Sequence, residues 1–141
     1  MNLRPFHLAV AVNDLDASRR FYGGVLGCAE GRSDALWVDF NFFGHQLVCH
    51  LDTRLPAAVK GLQNLVDNHG VPVPHFGLVL DMEAWRITRQ RLVDAGIEFI
   101  IEPTIRFKGQ VGEQATMFFR DPAGNNLEIK AFESLDQLFA R

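Results

Sequence analysis

A chain of 141 residues with 48% hydrophobic side chains matches the size of one domain and has ample material for a core. Charged residues make up 22%, the net charge is −3 and the pI is about 5.9, which leaves no basic footprint for nucleic acid or an anionic membrane surface. The apolar runs are too short to span a bilayer, and the opening MNLRPFHLAV has no signal-peptide core. Two cysteines, Cys28 and Cys49, lack C-x-x-C spacing and read as buried free thiols of a cytoplasmic protein.

In chain order, PFHLAVAVNDLDASRRFYGGVLG (residues 5–27) opens with His7 on an apolar strand. Asp14 or Asp16 then caps a helix with Phe21, Tyr22, Val25 and Leu26 on one face, and Gly27 stops it. Residues 37–43 and 46–51 read as two strands around Gly44. Residues 52–73 form a connection in which Val59, Leu62 and Val66 stand at helical spacing, predicting a linker helix at about 55–70. PHFGLVLDMEAWRITRQRLVDAG (residues 74–96) then repeats the opening: a histidine, a strand, an acidic residue, and a helix burying Trp85, Leu92 and Ala95 before Gly96. Ile97, Phe99 and Ile101 alternate as a further strand. The DPAG turn at residues 121–124 joins strands 115–120 and 126–132.

The chain is therefore one α+β domain, residues 1–141, made of two β-α-β-β-β modules at about 4–54 and 72–133. Side by side, such modules are expected to form a curved, cleft-like mixed sheet. Strand parity selects the side chains of that cleft. His7 shares a face with Ala9 and Ala11, His75 with Gly77 and Val79, and Glu128 with Asn126 and Lys130. Singly, each has a plainer reading, a hydrogen-bonded core histidine or a solvent-facing glutamate. Together, two imidazoles and a carboxylate form the 2-His-1-carboxylate set that binds Fe(II) with positions left open for substrate, and Mn, Zn, Co or Ni can also occupy it.

At these residues the chain resembles the vicinal oxygen chelate superfamily, which includes glyoxalase I, extradiol dioxygenases, fosfomycin-resistance thiol transferases and bleomycin-binding proteins. HLAVAVNDLDASRRFYGGVLG is similar to its N-terminal module and DPAGNNLEI to its C-terminal strand motif. The resemblance implies a divalent metal, Fe(II) first, held by His7, His75 and Glu128. It also implies a small-molecule substrate and a homodimer in which modules pair within one chain or across two. Departures narrow the choice. Val48 stands where glyoxalase I has a fourth, carboxylate ligand, and Ala9 replaces the threonine of the thiol transferases. Phe118 replaces the tyrosine of the extradiol motif, and residues 107–114 lack its expected histidine.

Ring cleavage requires a positioned acid/base, and His50 on the cleft face is the remaining candidate. Arg120 and Lys130 are candidates to hold an anionic substrate, with Gln46, Thr116 and Phe118 lining the pocket. The leading expectation is an extradiol-type dioxygenase acting on a small catechol-like substrate. A Mn- or Zn-dependent isomerase, lyase or thiol transferase is the alternative, and a small-molecule-binding resistance protein is a third reading.

Overall fold

The computed structural model describes residues 3–55, 62–66 and 69–141, with backbone only for residues 62–66 and 69. It divides into two units. The first comprises Met1–Val59 with Asp121–Asn125, the second Lys60–Arg120 with Asn126–Arg141.

In the first unit, β1 (His7–Val12) alternates as its sequence requires: His7, Ala9 and Ala11 are exposed, while Val12 is fully buried. Asp14 is the N-cap of α1 (Leu15–Ser18), its carboxylate accepting the Ala17 N–H at 3.0 Å. The helix then widens into a π-helical stretch over Arg19–Val25, and the Leu26 N–H reaches Phe21 O at 3.0 Å. This differs from the regular helix expected, but it still buries Phe21, Tyr22 and Leu26; Val25 is half-buried. The Tyr22 ring packs against Phe21, Phe40 and Phe42. Three further strands, β2 (Ala29–Asp34), β3 (Trp37–Phe42) and β4 (His45–Leu51), complete a sheet of order β1-β4-β3-β2, with β1 and β4 parallel.

The second unit repeats this plan. Its sheet has the order β7-β10-β9-β8, built from β7 (Phe76–Leu80), β8 (Phe99–Arg106), β9 (Gln114–Arg120) and β10 (Asn126–Ala131), with β7 and β10 parallel. Asp81 caps α2 (Met82–Asp94), which packs on β7 and β10 and anchors there through a 3.0 Å bond from Trp85 Nε1–H to Ile129 O. Leu127 and Ile129 are fully buried, as are Met117 and Phe119 on β9.

The linker helix is corrected. Residues 62–66 and 69–73 are β5 and β6, an antiparallel pair in register from Leu62↔Val73 to Val66↔His69; the rest of the expected helix, residues 56–61 and 67–68, lies outside the described residues. Val71, Pro72 and Val73 favour an extended chain, and proline is excluded from a helix interior. Residues 62–66 thereby gain a strand partner, which overrides the helical spacing. Among the described residues, no helix is long and apolar enough to cross a membrane.

Candidate metal centre

His75 stands just before β7, in a segment tied down twice. Asn126 Nδ2–H donates to Pro74 O at 3.1 Å, and His75 Nδ1 lies 2.7 Å from Pro72 O. A carbonyl only accepts, so Nδ1 carries the hydrogen, and the other ring nitrogen is left to face Glu128 Oε2 at 3.1 Å. A neutral ring in this tautomer aims a lone pair at a carboxylate oxygen. Only a proton or a cation between them makes the contact favourable. The Glu128 bond, supported by Pro72 O, raises the His75 pKa against the opposing effects of burial and Lys130. Burial pushes Glu128 up, but the His75 bond, the Lys130 charge and the Thr116 hydroxyl outweigh it and hold the carboxyl below its ordinary value.

This donor pair fits a divalent metal. Two ligand atoms, each about 2.1 Å from one cation, lie about 3 Å apart across a right angle. The Nδ1–H bond to a carbonyl is also the support that metal-ligating histidines ordinarily have. Two neighbours fix the geometry. Thr116, fully buried, donates to Glu128 Oε1 at 2.8 Å and so orients the carboxylate. Phe118, also fully buried, meets the His75 ring edge-on at 5.1 Å and clusters with Val71 and Ile101. Gly77, opposite Glu128, lets β7 approach closely: a Cβ there would clash with Glu128 O and come within 2.6 Å of its carbonyl carbon.

In the first unit, His7 is exposed and its Nδ1 lies 2.8 Å from Gln46 Oε1. Gln46 Nε2–H in turn donates to Asp39 Oδ2 at 3.1 Å, and Asp39 is 7% exposed. A cavity of about 290 Å³ has Gly31, Asp39 and Gln46 in its wall. Val48 pairs with Ala9 as Glu128 pairs with Gly77, so an apolar residue occupies the position corresponding to the carboxylate. His50 pairs with Ala11 and is exposed on the His7 face, four positions along β4 from Gln46, or roughly 13 Å. Arg120 and Lys130 are half-buried on the Glu128 face, opposite Asn126 and Thr116.

His75 and Glu128 are thus brought together, with Thr116 and Phe118 behind them. His7 and Gln46 form a second group, and among the described residues neither unit by itself gathers three metal-ligating His, Cys, Asp or Glu side chains. Asp39 joins the set that the sequence reading passed over, and Arg106 is a buried charge on the sheet face of Glu128. Arg106 pairs with Gln114 on the Thr116 face and is 4% exposed, with Nε and Nη2 unpartnered. Both cysteines are buried and neither is in a disulfide; burial, reinforced by Asp121, pushes the Cys49 thiol up to about 12.

The Glyoxalase/Bleomycin resistance protein/Dioxygenase superfamily model matches residues 4–129. A glyoxalase/bleomycin resistance protein/dioxygenase from Alicyclobacillus acidocaldarius is similar at 31% identity over 96% of both chains, with a TM-score of 0.78. Two more distant structures share the fold. A fosfomycin resistance protein from Listeria monocytogenes has 17% identity over 97% of this chain and 98% of its own, with a TM-score of 0.68. A lactoylglutathione lyase from Agrobacterium tumefaciens has 22% identity over 96% of both chains and a TM-score of 0.66. Among curated proteins, none matches.

Proposed function

Because this chain belongs to the glyoxalase/bleomycin resistance/dioxygenase superfamily, we propose that it is a divalent-metal-dependent enzyme acting on a small substrate with adjacent oxygens. The observation that carries the reading is the 3.1 Å approach of His75 Nε2 to Glu128 Oε2, both held by bonds that leave those atoms free to ligate. His7 is proposed as the third ligand, from the same chain or from the second copy of a homodimer. A metal held there supplies Lewis acidity and, as Fe(II), the redox capacity to cleave a catechol-like ring with O₂. Phe118 keeps the His75 plane fixed and Thr116 orients Glu128. Val48 contributes no fourth ligand, which leaves room for substrate oxygens. His50 is the proposed proton carrier, and Arg120 and Lys130 would receive an anionic substituent.

The leading reaction is extradiol-type ring cleavage. The second reading, Mn- or Zn-dependent isomerase, lyase or thiol-transfer chemistry, is favoured by Phe118: it has no hydroxyl to donate a proton and its ring is sealed behind His75.

Anaerobic reconstitution with Fe(II) should give one metal per chain, lost in Glu128→Ala and His75→Ala. Unchanged metal content in either variant ends the reading. Oxygen uptake with a catechol panel, compared among Fe, Mn and Zn forms, separates ring cleavage from Lewis-acid chemistry. Mixing His7→Ala with Glu128→Ala chains restores a fraction of intact sites only if the ligands come from two copies.

A further inference from the structure

We propose that Asp39 and Gln46 are positioning residues that lock His7 in one tautomer, with Nδ1 protonated and Nε2 presented as the free donor. The inference rests on the metal-centre reading for its purpose, but not for its geometry.

Gln46 has one end that donates and one that accepts. Its Nε2–H donates to Asp39 Oδ2 at 3.1 Å, so the NH₂ end faces Asp39. The carbonyl end is then fixed 2.8 Å from His7 Nδ1, and it can only accept. His7 Nδ1 must therefore carry the hydrogen, which leaves Nε2 of the neutral ring unprotonated. His75 reaches the same tautomer by another route, through Pro72 O. A backbone carbonyl needs no orientation, whereas an amide side chain can turn over. The carboxylate of Asp39 removes that freedom.

The fold carries a local irregularity around this carboxylate. Between Glu30↔Phe40 and Ser33↔Val38 the β2–β3 ladder slips, so that Gly31 and Arg32 together stand against Asp39. A Cβ on Gly31 would collide with the Asp39 carboxylate where it now stands, so any other residue there would push that carboxylate out of its present position. Asp39 is nearly inaccessible, and its second oxygen, Oδ1, is buried without a partner. A buried acceptor left in that state is costly, and nothing in sheet formation calls for an aspartate there. The relay to His7 gives it a purpose.

The test uses the metal-free full chain, labelled with ¹⁵N-histidine at a pH where the rings are neutral, and reads each tautomer from long-range ¹H–¹⁵N correlations. Wild-type His7 is expected in the Nδ1–H form. In Gln46→Leu it should shift toward the Nε2–H form that free histidine favours. In Asp39→Asn, where the amide can turn over, a mixture is expected. His75 serves as an internal reference and keeps its Nδ1–H signature in both variants. Finding wild-type His7 in the Nε2–H form overturns the proposal whatever the variants do, as does an unchanged His7 pattern in a folded Gln46→Leu. With metal added, both variants should bind about 10–100-fold more weakly, the usual effect of removing a ligand's supporting partner. Metal retained by Glu128→Ala with the His7 tautomer as expected would instead sink the metal reading and leave the relay standing.

Discussion

His75 Nε2 and Glu128 Oε2 lie 3.1 Å apart, a contact that becomes an ion pair when His75 is protonated. The His75 pKa is raised above its ordinary 6.5, so its stabilisation is complete below that value and is lost as pH rises through the folded pKa. Glu128 is lowered from 4.5, so its contribution is complete above that value and is lost as pH falls through the lower folded pKa. The pair should therefore stabilise the apo chain most between about pH 4.5 and 6.5. Melting wild type and Glu128→Gln across pH should show their difference largest in that window and shrinking on the alkaline side. Metal affinity should run the other way, weakening as pH falls through the raised His75 value, because proton and metal compete for one lone pair.

Thr116→Val removes the hydroxyl that donates to Glu128 Oε1 while keeping the side-chain shape. A hydrogen bond to a charged group contributes about 1.5–3 kcal/mol, so urea unfolding should report a loss of that order. Metal binding should weaken as well, because the carboxylate loses its fixed orientation.

Gly77→Ala would force a methyl group into the Glu128 backbone. Overpacking of this kind costs about 1–3 kcal/mol, and here it must also part β7 from β10 at Glu128. Reduced stability with reduced metal uptake is expected. The corresponding Ala9→Gly in the first module, where a Cβ is already accommodated against Val48, should leave metal uptake nearly unchanged.

Arg106→Met is expected to stabilise the chain. The guanidinium is 4% exposed with Nε and Nη2 unpartnered; it lies 5.2 Å over the Phe107 ring, which offsets only part of the cost of burying a cation. Replacement by an apolar side chain of similar length should raise unfolding stability by about 1–4 kcal/mol. A destabilised variant would show that Arg106 gains more from its surroundings than its free donors indicate.

The repeat was legible because each copy carries its own punctuation: a histidine before an apolar strand, an aspartate cap and a glycine stop. The face shared by Glu128 and Lys130 followed from strand parity alone. Asp39 was passed over, although it alternates with Trp37 and Asn41 on β3. Its role was hidden because it depends on a slip in the neighbouring strand and on empty space over Gly31. The β5–β6 pair was missed because Leu62 and Val66 suit a helix until residues 69–73 offer them a partner. Thr116 and Phe118 stand on the Glu128 face, but depth is not written in periodicity, and both are fully buried.

The Tyr22 hydroxyl donates to Asp121 Oδ2 at 2.8 Å, and Asn125 Nδ2–H donates to Ala11 O at 2.9 Å. A buried phenol and a strand carbonyl of the first unit are thus satisfied by a turn translated about a hundred residues later. The Tyr22 hydroxyl and the Ala11 carbonyl therefore lack these two partners until residues 121–125 have been synthesised.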